Sequence, residues 1–332
     1  MSNWTDRNLK WIKLVVMVAA YGYLAWLLIT FDEYDRFAES FCDLTPQRWL
    51  LLSCAIGGML LNWGLESVKW KLLVAPLEDM SFGRAFKSVF VGITVGFFTP
   101  NRIGEPAGRV LTLREGNRVS GFLLVIIGAL GQMLANIVYP LAALILLAIS
   151  PSLRFGEISD WWIPVGIVLL VAFIWLFLSM PSWSESLSAK LRENRLKKYL
   201  QKALDACRLT NSRQLLQIGF YSILRYGVYT LQYYWIVRFF DIDLQLAEAF
   251  VLIPLNYLLV SVTPSISFSE MAVRASYAAA LLQSVTDNTL GAALAGIMVW
   301  IINYILPMLI GSFFLATLKK KQHVDPQPTE DQ

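Results

Sequence analysis

Stretches of apolar residues separated by short charged ones run through most of this chain, and about 20 apolar residues is the length of helix that crosses a bilayer. Six stretches predict full crossings, at about 11–31, 49–73, 120–149, 161–180, 214–240 and 290–317. The first is too long for a signal peptide and lacks a small-residue cleavage site, which predicts a retained span. Two further apolar segments, about 85–99 and 249–263, have only some fifteen residues each, and both run into Thr-Pro. The pattern predicts an all-α polytopic membrane protein with about six full transmembrane helices plus two Thr-Pro-broken hairpins. A single integral membrane domain is expected over 1–318, followed by a disordered polar tail at 319–332.

The two short segments share a spaced pattern. Ala85-Phe86 is followed after twelve residues by Thr99-Pro100, then after four more by Glu105, Ala107 and Arg109. Ala249-Phe250 is followed after twelve residues by Thr263-Pro264, then after five more by Glu270, Ala272 and Arg274. Agreement in order and spacing predicts a duplicated hairpin, with hairpin one over 82–118 and hairpin two over 245–288.

Composition agrees with the pattern. Hydrophobic residues make up 56% of 332 and charged residues 16%, where a soluble domain carries about 25% charged. The three cysteines (Cys42, Cys54, Cys207) show no metal or redox spacing, and the only histidine is His323, in the tail. A His-dependent catalytic site or a His/Cys metal centre is excluded, and no cofactor or nucleic acid is expected.

Loop charge orients the spans, because Lys and Arg accumulate on the cytoplasmic side. Arg7, Lys10 and Lys13 put the N-terminus inside, and Lys319, Lys320 and Lys321 do the same for the C-terminus. The loop at 32–48 holds five acids against Arg36 and Arg48, as expected outside. Residues 181–213 hold eight bases against three acids, with leucines among them, and predict a basic amphipathic helix on the inner leaflet. If 85–99 crossed fully, Arg102, Arg109, Arg114 and Arg118 would lie outside, against the bias. A re-entrant path keeps them inside. Acidic residues precede the second copy (Asp241, Asp243, Glu248), so it enters from outside. The expectation is an inverted repeat meeting near the midplane.

Spacing of i,i+4 puts Glu105 and Arg109, and Glu270 and Arg274, on one helical face. Each Glu is expected to open a half-helix whose unpaired N–H groups would suit a phosphate, beside Arg102 and Arg109 in the first copy and Ser265, Ser267 and Ser269 in the second. Each Glu–Arg pair could equally satisfy only itself and pin its hairpin. Arg225 lies half a span deep and needs a partner, either Glu66 or a substrate phosphate. Glu66 and Lys69 are expected near the cytoplasmic end of their span, with Lys69 reaching to water. Gln132 and Asn136 could be interhelical hydrogen-bond glue.

The run T-P-N-R-I-G-E-P-A-G-R at 99–109 resembles a motif of the lysylphosphatidylglycerol synthase transmembrane-region family, which typically shows T-P-G-R-x-G-E and a following Arg. Pro264 to Glu270 is similar to that family's later P-G-G-x-G-x-x-E, with Ser265, Ile266 and Ser267 where glycines are usual. The resemblance implies a flippase-type domain of the cytoplasmic membrane of bacteria, with Thr99, Pro100, Arg102, Gly104, Glu105 and Arg109 as site positions. Relatives with synthase activity carry a cytosolic aminoacyl-transferase domain, whereas this chain ends about fifteen residues after its last span and is not expected to attach lysine to a lipid.

Three functions stay open on these grounds. One is translocation of an anionic phospholipid or polyprenyl-phosphate headgroup, with membrane lipids, a second copy or a separate synthase as partners. Another is a glycosyltransferase-type enzyme using a polyprenyl-phosphate sugar, for which Asp241-Ile242-Asp243 is the only D-x-D. The third is an accessory subunit that transports nothing.

Overall fold

The computed structural model describes residues 45–99, 102–149, 161–190, 205–263 and 267–318, together with Val18 and Gly22; residues 187–190 and 267–269 are described by backbone alone. The expected first span, most of the basic loop, the tail, Pro100, Pro264 and Ser265 lie outside the described residues. Every described element is helical.

Helix α1 (Pro46–Val74) starts where Thr45 Oγ1 accepts from the Arg48 N–H and a proline occupies the first turn. Hairpin one follows as α2 (Phe82–Phe97), α3 (Gly104–Val110) and a short 3₁₀ turn at Glu115–Asn117. Then come α4 (Arg118–Ile149), α5 (Trp162–Leu178), α6 (Met180–Lys190) and α7 (Ser212–Phe239). Hairpin two is α8 (Leu246–Val262) and α9 (Ser267–Leu282). The described chain closes with α10 (Thr289–Trp300), a π-helical turn at Ile301–Ile305, and α11 (Leu306–Thr317).

Three of these stretches are long and apolar enough to cross a membrane: Pro46–Val74, Glu115–Ile149 and Thr289–Thr317. A fourth is reached if α5 and the start of α6, bent by 61° at their junction, count as one span. Of α5 only Phe177 is buried, while Val168, Leu169, Val171 and Trp175 stand exposed, which suits a helix bathed in lipid. Helix α7 has the length of a span but not the hydropathy, because Arg225, Gln232 and a run of tyrosines lower it.

The most extensive packing is α1 along α7. Gln232 Nε2 donates to the Ala55 carbonyl at 2.9 Å, and Gly58 admits the Gln232 stem. Hairpin one closes through glycines at four-residue spacing on both arms. Gly92 faces Gly108 and Gly96 faces Glu105, so α2 and α3 run antiparallel at close approach, as small residues permit between membrane helices. Small residues at four-residue spacing are a packing signal between membrane helices, although no expectation drawn from the sequence rested on these glycines. Hairpin two lacks them, and α9 packs far more on α10, where Gly296 leaves room for the Arg274 carbonyl.

A Cβ at Gly108 would sit 2.8 Å from both the Gly92 Cα and the Val91 carbonyl oxygen, backbone atoms that cannot rotate away. Gly108→Ala is therefore expected to destabilise the protein by about 1–3 kcal/mol, as overpacking does. Gly57→Ala, where a Cβ meets nothing within 4 Å, is expected to leave the unfolding midpoint in detergent unchanged or raise it.

Ser88 fastens hairpin one to the bundle, accepting from Trp70 Nε1 at 2.8 Å and donating to the Arg109 carbonyl at 2.8 Å. On the other side Thr94 Oγ1 donates to the Met308 carbonyl of α11 at 2.9 Å. At the open end of the hairpin, Glu78 takes hydrogen bonds from Arg84, the Arg114 N–H and Asn117. Burial pushes the Glu78 carboxyl up, but these three donors together hold it below the ordinary carboxylate range.

Candidate functional site

The two hairpins meet. Arg102, from the break in hairpin one, donates to both carboxylate oxygens of Glu270 in hairpin two at 3.0 Å. Arg102 adopts a left-handed backbone (φ 58°), uncommon for a residue with a side chain, at the turn that redirects the chain into α3. Thr99 shapes that turn: its Oγ1 accepts from the Gly104 N–H at 2.8 Å and donates to the Gly96 carbonyl at 2.9 Å. A side chain at Gly104 would collide with Thr99. Of the N–H groups expected to await a phosphate at the start of α3, that of Gly104 is thus taken by Thr99.

Both i,i+4 pairs form, and each reaches beyond itself. Arg109 pairs with Glu105 and also donates to Glu66 Oε1 at 2.7 Å. Arg274 donates to Glu270 Oε1 at 2.7 Å and to the Tyr304 hydroxyl at 3.1 Å, with Tyr229 at 3.4 Å. The reading in which each pair only satisfies itself does not describe this geometry.

Glu66 is the hub. Besides Arg109 it takes Lys69 Nζ at 2.7 Å and Arg225 at 2.8 Å on its other oxygen. Arg225 is completed by Asn62 at 2.7 Å and Gln132 at 3.1 Å, and its guanidinium stacks 4.7 Å from the Trp63 ring centre. The expectation that Lys69 reaches to water is corrected: it is 2% exposed, held inward by Glu66 with Ser222 Oγ at 3.4 Å. Asn62, Glu66 and Lys69 recur at i, i+4 and i+7 in the largely apolar second half of α1. That stripe could have revealed the site in the sequence. Asn136 joins none of it, and its Oδ1 is buried without a partner.

Tyr304 completes the join from the π-helical turn, a kind of local distortion frequent at functional positions. The Arg102 guanidinium lies 3.6 Å over its ring centre and that of Arg274 at 4.8 Å. Tyr226 and Tyr229 each pack against the Tyr257 ring, and all three line the same space.

These groups surround a cavity of about 400 Å³. Lys69, Arg102, Arg109 and Arg225 line it against Glu66 and Glu105, beside Asn62, Gln132 and Tyr304. One wall is apolar: α4 presents Ile126, Ala129 and Met133 on an exposed stripe, and the first two also line the cavity. The cavity therefore has a charged floor and an edge continuous with the outer face of α4.

Of the sequence-derived positions, Thr99, Arg102, Gly104, Glu105, Arg109, Arg225, Glu270 and Arg274 fall in this one region. Ser267 lies in the first turn of α9, described by backbone alone. Asp241 and Asp243 are remote from it and bind Arg48 and Arg238 respectively. No group of three or more His, Cys, Asp or Glu placed to hold a metal occurs among the described residues.

Neither a curated protein nor a solved structure matches the chain. A family model does: that of the lysylphosphatidylglycerol synthase TM region matches residues 11–311, and with this coverage the chain belongs to that family.

Proposed function

We propose that this protein translocates a lipid with an anionic headgroup across the membrane, with no catalytic step of its own. Membership of the family points to a role with membrane lipids. The observation that carries the reading is the cavity: cationic side chains line its floor, while its edge runs onto the exposed apolar stripe of α4. Ionisable residues at membrane depth cost about 2.5–3.5 kcal/mol each and accumulate where they serve a pathway. A headgroup would sit among Arg102, Arg109 and Arg225 while the acyl chains stay along α4 in lipid.

In this proposal six spans and two re-entrant hairpins form an inverted repeat in one membrane domain, with both termini cytoplasmic in a bacterial inner membrane. The join between the hairpins, Arg102 to Glu270, would be where one repeat moves against the other.

Leaflet-resolved translocation of labelled phosphatidylglycerol and phosphatidic acid in proteoliposomes tests the reading. The wild-type protein is expected to move lipid at a rate that falls at least tenfold in Arg109→Ala and in Glu105→Gln. Folded protein that moves no lipid, or variants that move it as fast as wild type, would overturn it.

A further inference from the structure

The charges around the cavity do not balance. Lys69, Arg102, Arg109 and Arg225 line it against the carboxylates Glu66 and Glu105. Glu270, just outside that lining, pairs with both Arg102 and Arg274, so counting Glu270 and Arg274 together leaves the difference unchanged. Two positive charges are left over, inside a region where Lys69 and Arg109 are 2% and 4% exposed. Buried charge is ordinarily paired, and the penalty for leaving it unpaired is severe in a low-dielectric interior. Among the described residues no further acid lines the cavity, and the carboxylate that holds Arg102, Glu270, lies outside the lining.

Donor capacity is left over too. Arg109 Nε, Trp63 Nε1 and the Tyr226 hydroxyl are buried with no hydrogen-bond partner among the described residues, and all three belong to residues lining the cavity. Buried donors in a folded protein are almost always satisfied, so three on residues lining one cavity are donor capacity that a small side-chain shift would turn toward acceptor oxygens. Arg102 is the most accessible of the cations, with 28% of its side chain exposed.

We propose that the cavity takes a phosphate group carrying two negative charges, a phosphate monoester head, in preference to a singly charged phosphodiester. This rests on the lipid-translocator reading above for the identity of the rest of the molecule. A dianion brings the lining to neutrality, whereas a phosphodiester leaves one cation uncompensated. The dianion also presents three terminal oxygens to Arg102, Arg109 and Arg225, where a diester presents two. The volume of about 400 Å³ holds such a head, while a prenyl or acyl chain leaves along Ile126 and Ala129.

The test compares binding of three probes to the purified protein: phosphatidic acid, phosphatidylglycerol with the same acyl chains, and soluble glycerol 3-phosphate. Phosphatidic acid is expected to bind at least tenfold more tightly than phosphatidylglycerol. Arg225→Gln removes one of the two surplus charges and is expected to reduce that preference to about threefold or less. Glu105→Gln adds one, and is expected to keep the preference even if Arg225→Gln fails to fold. Equal affinity for the two lipids overturns the dianion and leaves the translocator intact. Glycerol 3-phosphate binding as tightly as phosphatidic acid upholds the dianion and overturns the lipid requirement. Failure of all three probes to bind overturns both.

Discussion

Glu66→Gln is expected to cost about 3–5 kcal/mol of stability, the penalty for removing one partner from a buried ionic network. Glu66 is 4% exposed and holds three cations at once: Arg109 at 2.7 Å, Lys69 at 2.7 Å and Arg225 at 2.8 Å. Those cations come from hairpin one, from α1 itself and from α7, so the carboxylate ties three elements together. A neutral amide keeps the shape but leaves the cluster with one more uncompensated positive charge and sets an NH₂ against a guanidinium. Glu115→Gln provides the comparison. Its pairing with Arg118 spans 3.6 Å and the Glu115 side chain is 66% exposed, and exposed pairs contribute about 0–1 kcal/mol. Unfolding free energies from a denaturant titration in mixed micelles should separate the two variants clearly. Similar losses for both would mean that the network around Glu66 is relaxed by water and does not hold the helices.

The presence and placement of this network were only partly readable in the chain. The Thr-Pro breaks, the i,i+4 pairs and a partner for Arg225 follow from spacing and from the cost of charge in an apolar segment, and Glu66 was one of two partners open to Arg225. Lys69 was misread because a lysine near a predicted span end usually extends toward water. Here the hub carboxylate lies on the same helix face three residues away, and attraction inside a low-dielectric bundle outweighs hydration. The meeting of Arg102 with Glu270 was beyond sequence reasoning, since it depends on how hairpins 168 residues apart pack. Even so, the tight closure of hairpin one was present in Gly92, Gly96, Gly104 and Gly108. The asymmetry of the two hairpins follows from the same residues: without glycines on α8, its arm cannot approach α9 as α2 approaches α3, and α9 turns to α10 instead.

Arg102→Ala is expected to weaken binding of an anionic lipid about 10–100-fold, the effect of losing a charge-assisted hydrogen bond of about 1.5–3 kcal/mol. Arg102 faces two competing acceptors, the Glu270 carboxylate at 3.0 Å and whatever anion enters the cavity it lines. Glu270→Gln should therefore do the opposite of Arg102→Ala, freeing the guanidinium and tightening anion binding several-fold. Arg274 would keep the Tyr304 hydroxyl at 3.1 Å, so the second hairpin retains an anchor. The two substitutions are in direct contact, and contacting residues do not add. In the double variant the gain from Glu270→Gln should largely disappear, because the group it liberates is gone. Affinities of the four proteins for phosphatidic acid in mixed micelles complete the cycle. A purely structural pin gives a different signature: Glu270→Gln would then weaken binding as Arg102→Ala does, since both loosen the same join. The sign of the Glu270→Gln effect thus separates a carboxylate that yields its place to a headgroup from one that merely holds two hairpins together.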